Sequence, residues 1–342
     1  MAKVLSFVLI AALVLGNSIL SASLAEVSES DNSMMQNPVA TKIDTVTASI
    51  DWESAYNEEE DALFLHSKNI QNLSFINESF ISQYPALKEL YLNDNQIEDL
   101  SPLSALYGLE VLSLSNNHII DLEPLRVLDS LFYLDVTNNK QLADISPLSS
   151  LQSLTTLNMS NCNISNLSPI SSLYNLKILT GYNNQIVDIS MLAGLQKLTH
   201  LYLSKNPLER IEVLSQLTDL TDLTIGSDTT ILDFSVISTL TKLEVLCIDD
   251  QGLTSIAFLA PLINMKILEL PDNQITDISV LSELDGLLSV NLSNNNITNL
   301  SPLFMLPNLR NITVTGNPVS EEYMAELHEH GFTLYRIERW YR

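Results

Sequence analysis

Apolar residues in this chain recur on two periods at once. From Leu87 the pattern L-x-x-L-x-L-x-x-N-x-I-x-D-I-S-P-L-x-x-L is laid down and then copied. Its first leucine returns at Leu109, Leu131, Leu154, Leu176, Leu198, Leu220, Leu243, Met265, Leu287 and Leu309, at intervals of 22 residues with two of 23. A fixed period of this length means a solenoid, in which each repeat is one coil that buries its apolar side only by stacking on the next. Inside each coil the second and third leucines, Leu90 and Leu92 in the first copy, alternate with polar residues. That alternation predicts one short strand per coil, and in-phase coils predict a parallel sheet. Three residues past the third leucine stands Asn95, Asn117, Asn139, Asn184, Asn206, Asn273, Asn295 or Asn317, with Cys162, Asp228 and Gln251 in the remaining coils. An amide inside the bend is placed to bond backbone groups that the turn leaves without partners. Farther on, stretches such as Asp99-Leu100-Ser101-Pro102 set Ser or Asp ahead of Pro. This is helix-start chemistry and predicts a 3₁₀ or single helical turn.

The segments NQIEDLSPLSAL, NQIVDISMLAGL and NQITDISVLSEL resemble the 22-residue leucine-rich repeats of bacterial internalin-type surface proteins, over about Leu87 to Val319. The resemblance implies an α/β repeat solenoid, a leucine-rich-repeat horseshoe with a parallel concave β-sheet and short 3₁₀ or helical turns on the convex side. It also implies adhesion or host-surface interaction, without specifying a partner. The expected organisation is a signal peptide at 1–25, an acidic leader and N-terminal cap at 26–59, a solenoid of about twelve coils at 60–319, and a C-terminal cap at 320–342. At roughly 4.8 Å per strand the array would be about 55 Å long.

The flanks are read from local pattern. Met1 to Ala25 has Lys3, an apolar run from Val4 to Leu15 and Ser23-Leu24-Ala25 at its end, the layout of a cleaved secretory signal. Glu26 to Ala40 has too few apolar residues to bury, and Thr45 to Trp52 alternates as a capping strand. Leu63, Leu65, Ile70, Leu73 and Ile76 fit a degenerate first coil with Lys68 in the asparagine slot, and extra residues around Asn77 to Tyr84 predict a longer helical turn. Ser320-Glu321-Glu322 opens a helix ending at Gly331, followed by a closing strand over Phe332 to Tyr341. Arg339 to Arg342 carries no sorting motif or hydrophobic tail, so release or non-covalent retention is expected.

Lys plus Arg number 16 against 41 Asp plus Glu, a formal charge of -25. Nucleic acid and anionic membrane are therefore poor partners, and no membrane insertion is expected after signal cleavage. A protein ligand is favoured over a glycan, although the same acidity also serves simple solubility. Cys162 and Cys247 lie coils apart, too far for a disulfide. Exported eukaryotic leucine-rich-repeat domains resemble one another in cysteine-clamped caps, which this chain lacks, favouring a bacterial exported protein. His328-Glu329-His330 lacks the i, i+4 spacing of a zinc helix, and Asp249-Asp250-Gln251-Gly252 lacks the alternating ligands of a calcium loop. No nucleophile elbow, phosphate loop or dinucleotide fingerprint occurs, so no enzyme and no cofactor is expected.

With the leucines inward, the residues between them face out of the concave sheet. One column reads Phe64, Tyr91, Ser113, Asp135, Asn158, Thr180, Tyr202, Thr224, Cys247, Glu269, Asn291 and Thr313; two residues earlier it includes Tyr133 and His200, and two later Tyr182 and Asp249. Tyr91, Tyr133, Asp135, Tyr182, His200, Tyr202, Asp249 and Glu269 are the candidate ligand contacts, because interfaces concentrate aromatic anchors. Two readings stand for the tyrosines, ligand contact or cover for neighbouring strands. The acidic group Asp222, Asp249, Asp250, Glu269 and Asp272 reads also as a solvated face. An exported product is expected to begin near Glu26; its intact mass checks this, and a full-length cytoplasmic product contradicts it.

Overall fold

The computed structural model describes residues 50–226, 231, 233–329 and 333–334. Of its two units, Met1–Ile43 lies wholly outside these residues, and all that follows belongs to the second, Asp44–Arg342. The expectations for the signal segment, the leader, Asp228, His330 and the strand beyond Leu334 likewise fall outside.

Among the described residues fourteen short strands form one sheet in chain order. β1 (Tyr56–Asn57) runs antiparallel to β2 (Ala62–Phe64), and from there to β14 (Thr333–Leu334) neighbours are parallel. Register repeats from coil to coil, so Leu90 pairs with Leu112, Leu112 with Leu134 and Leu134 with Leu157. The chain is a leucine-rich-repeat solenoid with strands on one side and 3₁₀ turns such as Ser101–Ala105 and Glu123–Val127 on the other. The three leucines of each coil, the isoleucine after the asparagine and the leucines of the turn are fully buried in one continuous core. One inward position departs from this. Gly181 replaces the third leucine, and a Cβ there would meet the side chains of Leu203, Met159 and Ile186 at 3.2–3.4 Å, so the neighbouring coils already fill its space.

Each bend is closed by an amide from the following coil. Asn117 accepts the Ile97 N–H through Oδ1 at 2.9 Å and donates to the Leu92 carbonyl (3.0 Å) and to its own Leu114 carbonyl (3.0 Å). Asn184 does the same, with Ile164 N–H at 3.0 Å, Met159 at 2.9 Å and Gly181 at 3.2 Å. Asn95 serves the degenerate first coil, accepting from Lys68 and Ile70 and donating to Leu65, so Lys68 needs no amide of its own. The exceptions follow the 23-residue coils. The extra residue in the coil begun by Leu131 lets the Leu142 N–H bond the Asn139 carbonyl at 2.9 Å. Cys162 in the next coil is not called on for the Leu142 N–H, and its thiol donates to the Val136 carbonyl at 3.4 Å and the Ser160 carbonyl at 3.5 Å. The second long coil, begun by Leu220, is followed by Gln251, one methylene longer than asparagine, whose Oε1 accepts the Ile231 N–H at 3.1 Å.

Immediately before these ladder residues Asp94, Asn116, Asn138, Asn161, Asn183, Lys205, Asp250, Asp272 and Asn294 take left-handed φ between 52° and 61°. Asn and Asp tolerate that conformation best after glycine. They form a second, solvent-facing ladder, with Asn116 donating to Asp94 at 2.8 Å, Asn183 to Asn161 at 2.8 Å and Asn294 to Asp272 at 2.7 Å.

One sequence expectation is narrowed and one corrected. Of the Ser and Asp offered for the start of the turn, it is the Asp, or an Asn, two residues before the Ser that accepts its N–H. Asp99, Asp144, Asp188 and Asp277 each accept the N–H of the residue two ahead at 2.8 Å, Asp233 does so at 2.7 Å, and Ser101 Oγ donates back to Asp99. Trp52, expected on a capping strand, instead opens the short helix α1 (Trp52–Ala55), capped by Asp51, and the antiparallel cover is β1. Its indole packs on Phe75 and Phe80, with ring centroids 5.4 and 6.1 Å apart, over the first coil. The longer turn is the helix α2 (Glu78–Gln83), capped by Asn77. α3 (Ser301–Phe304) replaces the 3₁₀ turn of the last coil, and α4 (Glu321–Glu329) follows it, with Tyr323 bonding Asn299 at 2.9 Å and stacking on Phe304. Among the described residues no helix is long and apolar enough to cross a membrane.

Asn184→Ala removes the partner of the Ile164 N–H and of two carbonyls in a buried bend. It is expected to cost about 1–3 kcal/mol in urea unfolding, whereas Asn183→Gly, which drops the solvent-facing ladder bond at a left-handed φ that glycine accepts, costs less than about 1 kcal/mol.

Candidate binding surface

Because every strand is in register, the outward columns are continuous files across the sheet. Tyr91, Ser113, Asp135, Asn158, Thr180, Tyr202, Thr224, Cys247 and Glu269 are successive neighbours in one file, and Tyr133, Thr156, Ile178, His200 and Asp222 lie in the next. Facing outward does not make these residues equally accessible. Tyr133 and Asp135, which the alternation offers as ligand contacts, are 7% and 8% exposed, covered by adjacent strands. Tyr133 accepts from Asn158 Nδ2 at 3.3 Å, and Asp135 accepts the Thr137 N–H at 2.9 Å. Burial pushes the Asp135 carboxyl up, against the hydrogen bonds that lower it. This pair forms the floor of the face.

The other candidates fall into three places. Tyr91 is half-buried at the N-terminal end, stacked on Phe64 with centroids 4.8 Å apart and planes 5° apart, its hydroxyl donating to Glu89 at 2.9 Å. Tyr182, His200 and Tyr202 lie on two successive coils at the middle of the face, all half-buried. His200 Nε2 lies 3.4 Å from the Asp222 carboxylate, its Nδ1 is 2.8 Å from Thr199 Oγ1, and its ring centroid is 6.2 Å from that of Tyr202. Asp249 and Glu269 lie two to three coils farther on, both with carboxyls pushed up by desolvation and Glu269 further by the Asp249 charge. Cys247 between them is partly covered, and burial followed by those two carboxylates pushes its thiol well above the ordinary range. Burial likewise pushes Cys162 up to about 12. Neither thiol is primed for nucleophilic chemistry.

Sequence reasoning passes over two residues at this surface. Lys205 occupies the left-handed slot that Asn or Asp fills in most coils, at φ 55°, and its Nζ sits 5.2 Å over the Tyr182 ring. The departure from Asn/Asp is its one visible signal. Gly226 is the other. A Cβ there would run into the Asp249 carboxylate, so the glycine leaves the space Asp249 occupies.

The profile of the family described as Leucine Rich repeats (2 copies) matches residues 107–150 and 152–194. Among solved structures the chain is similar to an internalin (inlF) from Listeria monocytogenes, at 29% identity and a TM-score of 0.67, covering 82% of this chain and 88% of that one. It is similar in fold to the leucine-rich-repeat protein LIC12759 of Leptospira interrogans, at 22% identity and a TM-score of 0.66, covering 75% and 74%. The ectodomain of the Arabidopsis receptor kinase HAESA, solved with a peptide hormone ligand, shares the fold at 20% identity and a TM-score of 0.62, covering 75% and 46%. A search of curated protein sequences finds no match.

The raised Asp135 carboxyl gives a pH test. A carboxyl that holds its proton more tightly in the folded state makes ionisation cost stability. That cost is present above the raised value and relieved as pH falls through it. Asp135→Asn is therefore expected to raise the urea midpoint at neutral pH and to lose that advantage below the ordinary carboxylate range, checked by unfolding curves at both pH values.

Proposed function

Because this chain is an internalin-type leucine-rich-repeat protein, we propose that it is an exported, non-catalytic binding module that takes a protein partner on its concave face, in adhesion or host interaction. The observation that carries this reading is the run of half-buried rings on two successive coils at the middle of the sheet, Tyr182 with Lys205 over it and the neighbouring pair His200 and Tyr202. Aromatic rings already held by neighbours lose little freedom on binding, which is why they serve as anchors. The mates of Tyr202 across the sheet, Thr180 and Thr224, are both smaller than its ring. Tyr91 extends the contact toward the N-terminal end, while Tyr133 and Asp135 support it from below. Structural kinship supports the class of partner, since the HAESA ectodomain, a coil stack of the same fold, holds a peptide hormone. The bacterial, secreted setting rests on the sequence of the first 25 residues and on the internalin likeness.

The alternative is a passive envelope scaffold that assembles with itself. A photo-crosslinking amino acid placed at Tyr202, and in a second protein at Tyr107 on a convex turn, separates the two. Solubilised host-surface proteins are expected to give heterologous adducts from position 202 and none from 107. Adducts only between copies of this chain would establish the scaffold instead.

A further inference from the structure

We infer that the floor of the concave face at Ser113 receives a planar carboxamide, the side chain of an asparagine or glutamine of the protein partner, which lies on the open face of Tyr91 and bonds Ser113, Tyr133 and Asn158. The inference rests on the concave-face reading above and names the group that the partner must present.

Unspent hydrogen-bonding capacity at depth is the first ground. β4 (Val111–Ser113), β5 (Tyr133–Asp135) and β6 (Thr156–Asn158) are successive strands, and their register sets Ser113, Asp135 and Asn158 side by side in one outward file. Ser113 and Asn158 are only 7% and 4% exposed, as deeply set as Tyr133. Tyr133 accepts from Asn158 Nδ2, which leaves its own proton and Asn158 Oδ1 without partners among the described residues. Ser113 Oγ has no partner there either. Fully enclosed side-chain polar atoms among the described residues all have partners, so these unmatched ones still open onto the face. Polar groups set this deep are ordinarily matched, and a group brought from outside can match them. Asp135 is different. Its carboxylate accepts the Thr137 N–H at 2.9 Å and the hydroxyls of Thr137 and Ser115, so its charge is met by its own chain and the place does not call for a cation.

Shape is the second ground. Phe64 and Tyr91, the latter on β3 (Glu89–Tyr91), are cross-strand mates whose rings stack at 4.8 Å with planes 5° apart, one strand spacing between them. Ser113 is the next mate in the same file. Phe64 lies on one face of Tyr91, so the opposite face looks along the file over Ser113, and among the described residues no second ring packs on Tyr91. A hydroxymethyl group is far shorter than a ring. The third place in the stack is therefore a slot with a flat aromatic wall and polar atoms at its foot, and a flat group continues the stack.

The inventory of donors and acceptors selects the occupant. A carboxamide oxygen has two lone pairs and takes both the Tyr133 and the Ser113 proton, while its NH₂ donates to Asn158 Oδ1. An ammonium or guanidinium has no acceptor for the two hydroxyls. A carboxylate has no donor for Asn158 and would stand one strand from Asp135, and a hydrocarbon ring leaves all three groups unmatched. A sugar hydroxyl can match the same atoms but brings a puckered ring to a flat slot.

Saturation-transfer NMR with N-acetylglutamine methylamide as the probe tests this, beside its glutamate counterpart and methyl β-D-glucopyranoside. Ser113→Ala and Tyr133→Phe each remove one donor and keep the shape of the slot, Ser113→Phe fills the slot with a ring of the protein's own, and Ser289→Ala removes an outward hydroxyl elsewhere on the sheet. The glutamine signal is expected to exceed the glutamate signal and to fall about fivefold in Ser113→Ala and in Tyr133→Phe, the loss of one hydrogen bond. It is expected to vanish in Ser113→Phe and to hold at the parent level in Ser289→Ala, with Ser113→Ala melting as the parent does. If Ser113→Phe does not fold, the two donor deletions decide. Equal signals from glutamine and glutamate, a signal from the glycoside alone, or a glutamine signal untouched by Ser113→Ala and Tyr133→Phe would overturn the inference, as would no glutamine signal. In that last case, heterologous cross-links persisting from position 202 mean that only this inference falls. Absence of those cross-links removes the reading beneath it.

Discussion

The amide that closes each bend comes from the coil after it, and the rest of the fold depends on that arrangement. A coil of 22 residues must reverse direction sharply after its strand, and the reversal turns backbone N–H and C=O groups into the core, where an unmet hydrogen bond costs about 1–3 kcal/mol. Asn117, Asn139, Asn184, Asn206 and Asn295 meet that need with one acceptor and two or more donated bonds each. The bonds join coils as well as closing them, so the leucine core is held at the same pitch on both its strand side and its bend side. Parallel register follows, and with it the continuous outward files on which any binding face must be built.

Acidic residues serve two physical purposes here, although the net charge reports only their sum. Asp99, Asp144, Asp188, Asp233 and Asp277 cap the convex turns, and hydrogen bonds to the capped Ser or its backbone hold each of these carboxyls below the ordinary range. Ionisation stabilises them. On the concave side Asp135, Asp249 and Glu269 are shifted the opposite way by desolvation, so ionisation costs stability there.

Most of the fold was legible because its causes are periodic. Spacing of Leu90, Leu92 and their copies sets the strands, and the asparagine file sets the bends; both repeat so often that local exceptions do not blur them. What was not legible depends on distances between non-repeating groups. Tyr133 and Tyr202 both face outward by the alternation, yet the first is buried and hydrogen-bonded to Asn158 while the second is half-buried, a difference their cross-strand mates, Val111 and Thr156 against Thr180 and Thr224, do not announce. Trp52 alternates with Ile50 in sequence but starts a helix, since Asp51 caps it and the aromatic rings of Phe75 and Phe80, more than 20 residues on, receive the indole. Gly226 carries no sequence signal at all, since its role lies in the Asp249 carboxylate that crosses it from the next strand.

The pairing of long coils with unusual closing residues has a bearing on how such a chain is built and rebuilt. The coil begun by Leu131 and the coil begun by Leu220 each carry one extra residue, and the adjustment to it sits in the following coil, at Cys162 and Gln251. The natural cassette of this protein is therefore staggered against the repeat that the leucines display, running from just past one ladder residue through the next, as from Gln96 to Asn117. A graft or duplication cut at the leucines separates both partners in the bend from the side chain that seals it, while a cut after the ladder residue keeps the N–H partner with its seal, as Ile97 with Asn117, and leaves the carbonyl partner, as Leu92, across the joint. Recombination between coils of different length is then less disruptive at one set of joints than at another eight residues away, a polarity invisible in the repeat consensus itself.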